Sequence, residues 1–146
     1  MEWTVQRIFF RYDYSLDCIF KKWQCIKVWK IYRTDEFKDW FDSLEEISIT
    51  AIVTDLLILE KYGPSLGRPY VDTLKGSKIS NLKELRTRSK NGVFRILFVL
   101  DTERDIILLL GGDKSNDKKF YQKMIKKAEK LYQEHLIDLG RIKNED

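Results

Sequence analysis

The sequence predicts an α+β domain: a small antiparallel sheet built from an edge strand and a three-stranded meander, a helical hairpin between them, and a C-terminal helix. Two observations carry this. Apolar residues recur at helical spacing between residues 34 and 62, form short runs broken by turn residues from 81 to 110, and return to helical spacing from about 118. One loop, Tyr62-Gly63-Pro64-Ser65-Leu66-Gly67-Arg68-Pro69, holds both prolines and divides the helical half from the strand-rich half.

Taken in order, residues 1–25 mix Trp3, Phe9, Phe10, Tyr12, Tyr14, Phe20 and Trp23 with charges and show no period. Two readings stand for this stretch: an extra element that covers a face, or an extension from an upstream start codon. The expected division is therefore an N-terminal extension, 1–26, and a folded domain, 27–146. Residues 26–33 partly alternate and read as a strand that joins the meander at an edge. Thr34 or Asp35 caps a short helix with Phe37, Trp40, Phe41 and Leu44 on one face. Ser43 and Glu46 fit a capping box that opens a second helix with the stripe Ile49, Ile52, Val53, Leu56 and Leu59. That run is β-branched enough for a strand, but its length and the stop at Gly63 favour helix.

Residues 81–88 read as a strand, Lys90-Asn91-Gly92 as a hairpin turn, 93–101 as a strongly apolar strand, Thr102-Glu103-Arg104 as a further turn, and 106–110 as a third apolar run. Asn116 or Asp117 then caps a helix over residues 118–136. Its apolar line is Phe120 or Tyr121, Met124, Ile125, Ala128, Leu131 and Tyr132.

Composition excludes several classes. No run of about 20 apolar residues exists to span a membrane, and the first residues do not form a secretory signal. Two cysteines, Cys18 and Cys25, and one histidine, His135, are too few for a four-ligand zinc site or a disulfide framework. A cytoplasmic domain without metal or cofactor is expected. The net charge of +4 conceals an asymmetry. Residues 34–62 carry −6, whereas residues 75–127 carry +8. A basic second half suits a polyanion such as nucleic acid.

Arg95 is the only charge in the apolar run Val93-Phe94-Arg95-Ile96-Leu97-Phe98-Val99-Leu100. Arginine is rarely buried without a partner. Either it pairs internally, with Glu84 as the candidate, or its guanidinium fork binds phosphate. A tight hairpin brings Arg86 and Arg88 opposite residues 93–95, so the three arginines approach one another. An anion between them, or Glu84, would relieve their repulsion. Lys114 follows Gly111-Gly112-Asp113, and Tyr121 opens the last helix, where core packing is its plain alternative. Arginine, lysine and tyrosine with no histidine pair or cysteine nucleophile suit metal-free RNA cleavage. There the 2′-hydroxyl is the nucleophile, and the protein stabilises phosphorane charge and moves protons.

The stretches Leu66-Gly67-Arg68-Pro69-Tyr70-Val71-Asp72-Thr73-Leu74-Lys75-Gly76-Ser77, Asn81-Leu82-Lys83-Glu84-Leu85-Arg86, Gly92-Val93-Phe94-Arg95-Ile96-Leu97 and Leu109-Leu110-Gly111-Gly112-Asp113-Lys114 come in a telling order. With Phe120-Tyr121 and Ala128-Glu129, they make the chain resemble the RelE/ParE superfamily of bacterial toxins, in particular its HigB-like branch. The likeness runs from about residue 27 to 139. It implies the toxin of a type II toxin–antitoxin pair that cleaves mRNA on the ribosome, with a helix-turn-helix antitoxin as partner. Other superfamily members poison DNA gyrase without being enzymes, as ParE does, and a degenerate phage-type interaction protein is a third possibility. By resemblance, Arg95 contacts the scissile phosphate, Arg86 is the strand arginine before it, and Lys114 is the basic residue after the next strand. Tyr121 lies about one residue from the tyrosine of proton transfer, and Lys83 is a weaker match to a paired lysine. Glu84 matches a glutamate of the HigB-like branch and leaves the general base open. Lys75, Lys78, Arg88 and Lys90 are the expected nucleic-acid contacts, and His135 is expected on the surface of the last helix.

Overall fold

The computed structural model describes residues 29–100 and 105–138. The expected extension 1–26 and the expected turn at 102–104 lie outside them. The elements are β1 (Lys30–Arg33), α1 (Asp35–Asp42), α2 (Glu46–Tyr62), a 3-10 turn (Gly63–Ser65), β2 (Val71–Thr73), β3 (Leu82–Ser89), β4 (Gly92–Leu100), β5 (Asp105–Asp113) and α3 (Phe120–Asp138). The α+β expectation holds. The five strands form one sheet in the order β1-β5-β4-β3-β2.

The edge position of β1 agrees with the sequence reading, but it runs parallel to β5, with Ile31 beside Ile106. The opposite edge is β2, antiparallel to β3, which the sequence did not predict. Three residues beside a Gly/Pro-rich loop are too few to show a period. The turn of hairpin β3–β4 is one residue shorter than expected. Ser89 pairs with Gly92, so Lys90-Asn91 forms the loop and Gly92 starts the strand. Gly92 serves packing there: a Cβ would lie 2.7 Å from Phe94 Cζ and 3.0 Å from Asp113 Oδ2.

Thr34 caps α1. Its hydroxyl accepts from the Phe37 N–H at 3.1 Å and donates to the Leu109 carbonyl at 2.5 Å, tying the helix start to β5. Asp35 and Glu36 then lie in the first turn, where negative charge suits the helix dipole. The expected capping box at Ser43 does not form. Ser43 donates to the Trp40 carbonyl at 2.6 Å and closes α1, while Glu45 takes the N-cap of α2 without a side-chain capping bond, its carboxylate accepting instead from the Asn91 amide. The second helix is a helix as favoured, stopped by Gly63 at φ +53. Of the two candidates before α3, Asp117 acts: its Oδ1 accepts from the Lys119 N–H at 2.9 Å.

Strand alternation divides the core in two. Phe94, Ile96, Phe98, Ile106 and Leu108 point towards Phe37, Phe41 and the stripe of α2. Leu82, Leu97, Val99, Ile107 and Leu109 point the other way, against Ala128 and its neighbours on α3. The sheet is therefore a layer between the helical hairpin and α3. No described helix is long and apolar enough to cross a membrane.

Candidate active site

The β3–β4 register sets Arg86 directly opposite Arg95, Arg88 opposite Val93, and Glu84 opposite Leu97. Because side chains alternate, Glu84, Arg86, Arg88 and Arg95 share the α3 face of the sheet. Two guanidinium groups in direct register repel, and Glu84 resolves the conflict. Its Oε1 lies 3.8 Å from Arg86 Nε and its Oε2 3.7 Å from Arg95 Nε. Glu84 and Arg95 are each only 3% exposed. Arg95 therefore forms the internal ion pair that the sequence offered as the alternative to a phosphate contact. The pairing is loose. Among the described residues, neither Arg95 Nε nor Glu84 Oε2 has a hydrogen-bond partner, and one Arg95 terminal nitrogen donates to the Phe94 carbonyl at 2.9 Å.

The burial of Arg95 has a local cause. Its neighbour on β5 is Gly112. A Cβ there would come within 3.0 Å of Phe120 Cε2 and 3.1 Å of Met124 Cε, so the first turns of α3 pack onto the sheet beside Arg95. Arg86 is the accessible member, with 30% of its side chain exposed. Asp72, opposite Glu84 on β2, adds negative charge at this edge. Its carboxyl is held below the usual range, chiefly by the Arg68 guanidinium at 2.6 Å, then by the Thr73 N–H and the charges of Arg68 and Arg86. Asp72 escaped the sequence reading because β2 did.

Lys114 and Tyr121 form a second pair beside the first. The Lys114 N–H donates to the Val93 carbonyl at 2.8 Å, and its Nζ lies 4.9 Å from the Tyr121 ring centroid, a cation–π contact. Tyr121 is half-buried, edge-on to Phe120. Lys83 is not brought to this face. It pairs with Thr73, and its Nζ donates to Thr73 Oγ1 at 3.0 Å on the opposite side of β3. Lys75, Lys78, Arg88 and Lys90 are exposed. Of these only Arg88 belongs to the arginine row; the Lys78 N–H donates to Glu129 Oε1 at 2.7 Å, which ties its loop to α3. His135 is half-buried rather than fully on the surface.

These features define a small α+β domain whose basic strand face is partly screened by its C-terminal helix. The chain belongs to the Gp49-like family: residues 39–133 match the family described as "Phage derived protein Gp49-like (DUF891)". Two relatives from Mycobacterium tuberculosis (strain ATCC 25618 / H37Rv) bear the HigB name anticipated from the sequence motifs. "Putative toxin HigB2" is 37% identical over 66% of this chain and 49% of its own length. "Putative toxin HigB3" is 42% identical over 59% of this chain and 75% of its own length. The chain thus spans about half of the first relative. A solved structure titled "Crystal structure of archaeal RelE-RelB complex from Pyrococcus horikoshii OT3" overlaps 60% of this chain and 96% of that chain, at 18% identity and a TM-score of 0.45.

Proposed function

We propose that the chain is the toxin of a type II toxin–antitoxin pair and a metal-free, ribosome-dependent mRNA endoribonuclease of the cytoplasm, held in check by a helix-turn-helix antitoxin. Its membership of a family with toxin-named relatives supports the toxin class. The observation that carries the chemistry is the register pair Arg86–Arg95, set on rigid neighbouring strands with Glu84 between them. In this reading Arg86 takes the scissile phosphate, and Arg95, fixed behind it, adds positive charge as the phosphorane develops. Lys114 assists, and Tyr121 handles the proton of the 2′-hydroxyl or the leaving oxygen. Lys75, Lys78, Arg88 and Lys90 are the nucleic-acid contacts, and Lys83, on the far face of β3, takes no part in the proton transfer.

The burial of Arg95 favours a second reading, a ParE-like gyrase poison or a degenerate interaction protein, because a filled pair leaves less room for phosphate. Induced expression separates them. Rapid arrest of translation with mRNA cut within codons, abolished by Arg86→Ala, supports the nuclease. Filamentation and an SOS response over intact mRNA sink it in favour of gyrase, and no phenotype leaves the interaction protein.

A further inference from the structure

The outer face of α3 bears a row of lysines that the roles above leave unused. Lys119, just before the first residue of α3, and Lys123, Lys126 and Lys130 on it follow at spacings of four, three and four residues, and all four are exposed. At about 3.6 residues per turn they fall within one narrow stripe. It lies opposite Ala128, which is fully buried against the sheet. Lys123 is partly neutralised by Asp117 at 3.2 Å, and neighbouring Lys127 turns aside to Glu36.

The beginning of the row, Lys119 and Lys123, is poorly placed for stability. The start of a helix is its positive end and favours acids. Here the first turn holds none, and residues 118–127 contain five lysines without an acid. Beside the stripe, a groove of about 530 Å³ is lined by Lys78, Lys126, Lys130, Ser80, Asn81 and Gln133, among others. Three lysines against one acid in its lining, Glu129, leave the groove net positive and continue the charge across to the loop before β3.

A protein partner would need buried aromatic or aliphatic anchors. Among the described residues the large exposed hydrophobics are Ile47, Tyr62 and Tyr70, none of them on α3. The apolar members of the groove, Ile79, Leu100, Tyr132 and Leu136 among them, are half-buried, so lysine dominates the exposed stripe, and flexible, hydrated lysines suit a chain of phosphates. From Lys119 to Lys130 the helix rises about 17 Å, close to five phosphates of a stacked strand at about 3.4 Å each.

We propose that the α3 lysine stripe, with Lys78 across the groove, is a docking surface for the phosphate backbone of RNA, separate from the Arg86–Arg95 site. It rests on the reading of RNA as the target. The surface holds the strand along the outside of α3 by charge alone and carries no sequence preference.

The test is binding of the full chain to a labelled 20-nucleotide single-stranded RNA as salt is raised. Replacing all four lysines (K119Q, K123Q, K126Q, K130Q) should make the slope of log K against log salt shallower by roughly 3, at about 0.7 per phosphate neutralised. Affinity at low salt should fall about a hundredfold. A control that removes two lysines of the acidic half, K38Q with K61Q, should stay within about twofold. The melting temperature of the four-lysine variant should stay within a few degrees of the parent, because all four side chains are exposed and surface substitutions of this kind change stability little; an unchanged melting temperature then separates lost binding from lost folding. An unchanged slope and affinity overturn the proposal. So does stripe-dependent binding of polyglutamate but not RNA, which would mean an acidic protein, or a stripe-dependent preference for the matching DNA strand. A stripe-dependent slope together with uncut mRNA on expression supports the surface and refutes only the nuclease reading.

Discussion

Arg95 and Glu84 show what a single position reveals. One charge in an otherwise apolar strand is visible in the sequence, and Glu84 was legible as its partner because strand alternation puts both on one face. The depth of their burial was not legible, since it comes from Phe120 and Met124 closing over Gly112. Removing one member leaves the other charged and unpaired in the interior. Arg95→Ala should therefore lower stability by about 3–5 kcal/mol, whereas replacing both residues with apolar ones of similar size should recover most of it. Urea unfolding of the singles and the double checks this, and a harmless Arg95→Ala would refute the buried pair. Loss of toxicity in Arg95→Ala alone then says little about chemistry, which is why Arg86→Ala is the sharper functional variant. Glu60 supplies a pH prediction. Burial at the end of α2 pushes its carboxyl up to about 7 from an ordinary 4.5. The folded chain thus holds a proton there that the unfolded chain releases, so the contribution of Glu60 to stability is fullest below about pH 4.5 and declines as pH rises to about 7. The decline amounts to at most about 3 kcal/mol. Glu60→Gln should remove it and be the more stable form at pH 8, as followed by thermal melts across that range.

At the scale of elements, long periodic segments were read correctly and joints were not. The stripes of α1, α2 and α3 each exceed two turns, so their burial dictates helix whatever the β-branched content of α2. Ser43 misled because a Ser-x-x-Glu pattern opens a helix only where the preceding chain is free; here the serine sits in the closing turn of α1. β2 left no trace because its pairing with β3 is a tertiary event. The docking of α1 on the sheet rests on two small features. Thr34 bonds both its own helix and β5. Replacing it with alanine should cost about 1–2 kcal/mol. Gly111 leaves room for the Trp40 indole, and a Cβ there would lie 2.1 Å from Cζ3. Gly111→Ala should cost about 1–3 kcal/mol by overpacking. Adding Trp40→Leu to it should restore part of the loss, as chemical unfolding would show; simple additivity would mean that the contact is not the cause.

For the whole molecule, net charge is the wrong variable. The value of +4 averages an acidic hairpin and a basic second half, and the fold puts α2 and α3 on opposite faces of the sheet. Their outward faces are separated by two helices, each about 10 Å across, and by the sheet between them. That distance exceeds the Debye length of about 8 Å at physiological ionic strength. Charges placed outside α2 should then be nearly invisible to a polyanion lying on α3. Thr50 and Thr54 are exposed on α2 and bond only to the carbonyls of Glu46 and Thr50 in their own helix. Changing both to lysine raises the net charge to +6 from +4. RNA affinity should nevertheless stay within about twofold at physiological salt, where K126Q with K130Q should lower it about tenfold. In about 0.01 M salt the Debye length reaches about 30 Å, and there the α2 lysines should strengthen binding measurably. An equal gain from the α2 lysines at physiological salt would show that overall charge, not the stripe, governs association. A gain confined to low salt identifies the α3 face as the one the polyanion touches.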